Sequence, residues 1–245
     1  MLFSSKYFII TFFILMFTGN IAAQVKLSSN IDAGENNVSE GFCVKSSLWG
    51  SWQIDKIRIE GGTQFDLKSV NDNFFTAASL LAGRKFLIGK FQFEAQGLLI
   101  YNLFSEPIHE SNLGILTNIE RKHFIFKLGT EFRNYHITKR GVKEYDIESN
   151  KVIHENWNLI YLFQYNLKPY DHKWNIGTSI TNIDQFLINQ ETNPMVNLKG
   201  RYKISSPLTL YFESWYMNAG SLNISAGYFG YFLRTGVIWS PGLIK

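Results

Sequence analysis

The sequence predicts an all-β chain: an antiparallel, membrane-spanning β-barrel of about twelve strands that follows a cleaved signal peptide. Three observations carry this reading. Apolar and polar residues alternate with period two along most of the chain, and a helical period is nearly absent. Most alternating runs reach ten residues or more, whereas soluble strands have a mode of about 5–6 and a tilted bilayer crossing takes about 9–11. The connections between runs alternate long and short, the rhythm of a barrel with tight turns at one end and loops at the other.

The first segment stands apart from this pattern. Lys6 is a short basic flank, Tyr7 to Phe17 is an apolar run, and Ile21-Ala22-Ala23 is a small-residue exit, which together read as a secretory signal peptide cleaved before Gln24. The expected organisation is therefore residues 1–23 as leader and 24–245 as one barrel domain. The apolar run is short of the roughly 20 residues a spanning helix needs, and no cysteine lies near the cleavage point to carry a lipid. Cys43 is the only cysteine, so no intramolecular disulfide can brace the fold. The formal charge of +4 is small and evenly spread, which argues against nucleic acid as a partner. Past residue 23 no run of eighteen apolar residues occurs. Aromatic residues nevertheless make up 16 % of the chain and charged ones only 18 %, against about 25 % charged in soluble domains. Such a surface suits lipid better than water.

Strands are expected near 25–34, 42–53, 56–67, 74–88, 91–103, 110–121, 123–136, 155–167, 172–183, 195–205, 208–217 and 224–239. The first two are rich in Ser, Gly and Asn, so ten strands is the alternative count. In the fourth, adjacent Arg84 and Lys85 break the alternation, and one of them must face lipid and snorkel to the interface. The fifth is the cleanest: Phe91, Phe93, Ala95, Leu99 and Tyr101 fall on one face, and Gln92, Glu94, Gln96 and Asn102 on the other. The short connections are Ile54-Asp55, Gly89-Lys90, Lys122, 168–171 and Ser206-Pro207; the long ones lie near 35–41, 68–73, 104–109, 137–154, 184–194 and 218–223.

Period two alone does not say which face is inside, and a soluble calyx would bury the apolar side. Its exterior would then carry abundant Lys and Glu. The polar faces here hold Asn, Gln, Ser, Thr and Gly with isolated charges, which suits a lumen. Trp52, Tyr101, Tyr135, Trp157, Trp174, Tyr216 and Trp239 recur near strand ends, where aromatic girdles belong.

The last strand, from Gly227 to Trp239, places Phe229, Tyr231, Leu233, Val237 and Trp239 on one face and Tyr228, Phe232 and Arg234 on the other. Tyr228-x-Gly230-x-x-Leu233 loosely fits the glycine-bearing aromatic strand that ends outer-membrane barrels, displaced inward because Ser240 to Lys245 follow. With the start at Gln24 and the long aromatic strands, the chain resembles small outer-membrane barrel proteins of the Bacteroidetes type. The resemblance implies a Gram-negative outer membrane, periplasmic termini, contact with outer-membrane lipid, and recognition of the C-terminal strand by the barrel-assembly machinery.

Arg58, Glu60, Glu94, Lys127, Glu131, Arg133, Lys199, Arg201, Lys203, Glu213 and Arg234 fall on the expected inner faces. As rings lining a pore they would select solutes, with Lys199, Arg201 and Lys203 favouring anions. As mutually paired charges they would instead fill and brace a narrow barrel; twelve strands lie between filled eight-stranded barrels and open porins. The five histidines lie near strand ends or in loops, and His136 would face lipid at the rim. No spacing marks a metal site or a cofactor. The long loop 137–154 carries mixed charge. Phe186-Leu187-Ile188, an apolar triplet in another long loop, must pack somewhere, either inward as a partial plug or against a partner. The expected function is a small channel or transport-related barrel for small polar or anionic solutes, without chemistry. A non-conducting, partner-binding barrel is the rival, and a lipid-modifying enzyme comes third.

Overall fold

The computed structural model describes residues 23–35, 42–68, 74–89, 91–103, 108–144, 152–169, 172–217, 230–241 and 243–244. The strands are β1 (Ala23–Glu35), β2 (Phe42–Ile54), β3 (Ile57–Asp66), β4 (Phe75–Ile88), β5 (Phe91–Leu103), β6 (Ile108–Arg121), β7 (Phe124–Ile137), β8 (Val152–Asn166), β9 (Trp174–Thr181), β10 (Met195–Lys203), β11 (Leu208–Met217), β12 (Gly230–Trp239) and the two-residue β13 (Leu243–Ile244). One short helix, α1 (Lys139–Glu144), follows β7. Each of the first twelve strands pairs with its sequence neighbour, and β12 closes on β1 from Leu27↔Trp239 to Gly34↔Phe232. Closure leaves no sheet edge, which is what a barrel in lipid requires. Past Trp239, β13 pairs with the first two residues of β1.

Twelve strands is thus the count, and the ten-strand alternative fails. Strands β1 and β2 run thirteen residues each and pair along their whole length. Their small residues serve the interior: at Gly34 a Cβ would collide with Phe232 of β12, so the glycine lets that ring lie across the lumen. Strand β9 ends at Thr181, two residues early, because the chain turns inward at Asn182. Strand β8 begins at Val152, which with α1 shortens the expected 137–154 loop. Residues 224–229 of the expected last strand, and all of the expected leader except Ala23, lie outside the described residues.

The tight turns gather at the end where β1 begins and β12 ends, here the terminal end; the longer connections form the opposite, loop end. Asp55, Gly89 and Lys122 take positive φ of 50°, 61° and 31°, as two-residue hairpin turns demand. No described helix is long and apolar enough to cross a membrane.

The outer wall is apolar. In β9, Trp174, Ile176, Thr178 and Ile180 are exposed while Asn175, Gly177, Ser179 and Thr181 are buried. Leu113, Ile115, Leu128, Leu198 and Phe212 continue the exposed belt around the barrel, an arrangement stable only against hydrocarbon. Trp52, Trp174 and Trp239 ring it near the terminal end, and Tyr101, Trp157 and Tyr216 near the loop end. Tyr135 is a correction: it is 6 % exposed and points into the lumen beside Arg133. It shares the parity of Glu131 and Arg133, and the local irregularity falls on the partner strand, where Glu131 pairs with Asn158 but Arg133 with Glu155. Strand β7 therefore keeps its alternation to its end. The irregularity places Trp157 at φ 64° and 70 % exposed, against the ring of Phe132. Of the adjacent pair, Arg84 faces lipid with its guanidinium over Phe86, and Lys85 turns inward to Gln53.

Candidate functional site

The connection from β9 to β10 enters the barrel as a hairpin. Ile183 and Ile188 bridge, the Asp184 amide donates to the Leu187 carbonyl at 2.8 Å, and the Asn189 amide donates to the Asn182 carbonyl at 2.6 Å. Asn182 fastens the base of the hairpin to the wall. Its side-chain amide donates to the Leu159 carbonyl at 2.7 Å, and its side-chain oxygen accepts from the Tyr161 amide at 2.8 Å. A side chain here takes over the ladder that β9 abandons.

The apolar triplet packs inside, as one of its two expected alternatives required. Phe186 meets the edge of Trp49 with centroids 5.5 Å apart. Leu187 joins a buried cluster with Cys43, Met195, Trp215, Met217 and Phe232 on one side of the lumen. Ile183 and Ile188 join Leu98, Ile100, Leu116 and Ile160 on the other. The hairpin therefore spans the bore in the loop-end half, with a buried apolar cluster on either side of it.

Two arginines hold it by charge. The Arg133 guanidinium, fully buried, lies 2.7 Å from Glu131 and 3.4 Å from Glu110, and it donates to the Ile188 carbonyl at 2.6 Å. Arg234 forks between Asp32 of β1, at 2.8 and 3.0 Å, and Asp184 of the hairpin, at 2.9 and 2.7 Å. Its Nη1 also reaches Glu213 at 3.3 Å. Bidentate pairs of this kind fix direction as well as distance. Burial works against ionisation of Asp184, but Arg234 outweighs it and holds the carboxyl below its ordinary value of 3.8.

Below the hairpin, toward the terminal end, the lumen opens into a cavity of about 230 Å³. Lys199, Arg201, Glu213, Asn166, Asn175 and Tyr211 line it, and Gln185 at the hairpin tip forms its roof. Lys199 Nζ is 3.9 Å from Glu213 Oε1 and sits over the Trp215 ring. Across the barrel Arg58 makes a two-pronged pair with Glu94 at 2.8 Å and lies 3.4 Å from Glu60. Lys127 faces inward, and among the described residues no carboxylate lies within 4.0 Å of it.

Ten of the eleven expected lumen residues thus lie on inner faces, and most pair off. Arg133, Glu131 and Arg234 brace the closed half, while Arg58, Glu60, Glu94, Lys127, Lys199, Arg201 and Glu213 surround the open one. Lys203 differs: it is exposed at the terminal-end mouth, where β10 leaves the barrel, so it stands apart from any inner ring. Asp32, Glu110, Asn182 and Asp184 were not anticipated. Asp32 and Glu110 obey the period-two pattern of β1 and β6 and were legible there; Asp184 sits in a connection, where periodicity is silent.

At the loop-end rim, on the lipid side, Ser111 Oγ lies 3.2 Å from His136 Nε2, Tyr101 bonds His109 at 3.0 Å, and His154 bonds Asn134. His136 faces outward, as its position in the strand implied. No group of three metal-ligating side chains occurs among the described residues.

No protein-family model matches the sequence, and no curated protein sequence matches it. Solved structures do resemble the fold. The KdgM porin is similar at 10 % identity over 88 % of this chain and 98 % of its own, with a TM-score of 0.54. The NanC porin, at 11 % identity over 88 % and 98 %, scores 0.49. An outer membrane channel from Pseudomonas putida F1, at 11 % over 90 % and 95 %, scores 0.46. At these identities the likeness speaks to architecture alone, and it is the KdgM porin that carries it. The chain is a closed, twelve-stranded antiparallel β-barrel, similar in fold to that porin.

Proposed function

We propose that this chain is an outer-membrane channel for small polar solutes, with periplasmic termini and the Asn182–Asn189 hairpin as its constriction. The observation that supports it most is the asymmetry of the bore. A polar, cation-bearing chamber lies at the terminal end, and what seals it from the loop end is one connection folded inward rather than the barrel wall itself. A braced, non-conducting barrel would pair its charges evenly along its length. Here the densest pairing surrounds the hairpin, and Lys199 and Arg201 line the chamber. Those cations would favour anions among the solutes that pass. The same reading gives the apolar belt to outer-membrane lipid and the C-terminal strand to the assembly machinery.

Planar-bilayer recording tests it. A variant with residues 183–188 replaced by two glycines is expected to conduct in large, stable steps, and the intact protein in small or brief ones. Silence from both would overturn the channel and favour the partner-binding barrel.

One observation favours a second reading, a lipid-acyl hydrolase: the Ser111–His136 contact on the lipid-facing rim. A nucleophile and base within reach are its first requirement, and a group that orients the base is its second. Among the described residues nothing bonds His136 Nδ1. Labelling of Ser111 by a fluorophosphonate, lost in Ser111→Ala and in His136→Ala, would support it; no labelling would end it.

A further inference from the structure

Three carboxylates converge on the Arg234 guanidinium: Asp32 and Glu213 from the barrel wall, and Asp184 from the hairpin. Two lysines complete the balance. Lys45 stands opposite Asp32 in the β1–β2 register and opposite Asp66 in the β2–β3 register, and Lys199 stands 3.9 Å from Glu213. Lys199 alone of these three cations lines the chamber, so its charge is shared between Glu213 and whatever enters. Its half-exposed ammonium is also the loosest contact in the chain of pairs that runs Lys199–Glu213–Arg234–Asp184.

We propose that a small carboxylate-bearing solute in the chamber releases the hairpin, so that the solute opens its own path. The inference rests on the channel reading. The solute's carboxylate draws Lys199 off Glu213. Glu213 then turns wholly to Arg234, whose Nη1 it already approaches at 3.3 Å, and competes there with Asp184. Without Lys199, Arg234 and Lys45 face Asp32, which is fully buried, Asp184 and Glu213, which are partly buried, and Asp66 beside Lys45, an imbalance that a low-dielectric setting magnifies. The carboxylate that yields is Asp184. Asp32 and Glu213 sit on strands paired on both sides, whereas Asp184 sits at the turn of a hairpin and swings out with it. Trp215 steadies the other end of the exchange: its Nε1 donates to Glu213 Oε2 at 2.8 Å, and both Lys199 and Arg234 lie against its ring.

Single-channel recording of the full chain, with gluconate or uncharged sorbitol of similar size added on the chamber side, tests the proposal. Gluconate is expected to raise the open probability several-fold, and sorbitol to leave it unchanged. Lys199→Gln is expected to sit open without either solute and to ignore gluconate; Lys199→Arg is expected to stay closed and to respond. A wild type indifferent to gluconate, while the hairpin-shortened variant conducts, would overturn the release mechanism and leave the channel standing. A Lys199→Gln channel that stays closed, its fold verified by heat-modifiable gel migration, would overturn it as well. Silence of the hairpin-shortened variant would remove the channel reading itself.

Discussion

The two halves of this barrel are built from the same strands and do opposite things. In the loop-end half the inner faces present Ile100, Leu116, Ile160 and Phe232 together with buried arginines, and the hairpin fills what space remains. In the terminal-end half the same faces present Asn166, Asn175, Lys199 and Arg201, and a cavity of about 230 Å³ is left. Barrel diameter is set by strand number and stagger and does not change along the axis. The difference must therefore come from side chains and one connection: the wall fixes a bore, and the sequence of its inner face decides where the bore is filled.

That contrast can be broken at graded cost. The largest effect is expected at Arg133. Arg133→Ala leaves Glu131 and Glu110 buried without a counter-charge and removes the donor to Ile188, a loss of about 3–5 kcal/mol. Urea unfolding in detergent micelles measures it. In the open half, Arg58→Ala strips a partner from Glu94 where Arg58 itself is 19 % exposed, so water compensates in part and a loss of about 1–3 kcal/mol is expected. Equal losses at the two sites would erase the distinction between the closed and open halves.

Asp184→Asn comes next. It removes the charge but keeps the shape, and it should free the hairpin without unfolding the barrel, seen as protease cleavage within 182–194 and unchanged gel migration. The pH dependence follows in sign. Asp184 has a lowered folded-state pKa, so the docking it supports is in full force above 3.8 and is lost only as pH falls below that value, through the folded pKa. The contribution of Asp184 to docking should therefore be the same at pH 5 as at pH 7, and Asp184→Asn should abolish only that part of the acid response that appears in stronger acid. The smallest effect is expected at the exposed mouth: Lys203→Gln should alter stability by less than about 0.5 kcal/mol.

Much of this was legible in the sequence, because a barrel wall obeys one local rule. Period two placed Phe91 and Leu99 outward and Glu94 and Gln96 inward with no knowledge of neighbours, and strand length pointed to the bilayer. Nearness to a strand end placed Tyr135 in the girdle, although its parity with Arg133 points to the lumen, where it is buried. The hairpin was legible only as a demand. Phe186-Leu187-Ile188 had to be buried, but whether inside the bore or against another protein depends on Arg133, Arg234 and Asn182 converging from distant strands, and long-range geometry of that kind leaves no periodic trace. Pairing among the charges was likewise hidden: the inner face was readable, but the partners across it were not.

The placement of the hairpin inside the bore is tested most directly by accessibility of Phe186. In a Cys43→Ser background, Phe186→Cys should react slowly with a membrane-impermeant maleimide in intact cells, and quickly once Asp184→Asn is added. Rapid labelling without the second substitution would place the hairpin outside the barrel and contradict the closed half.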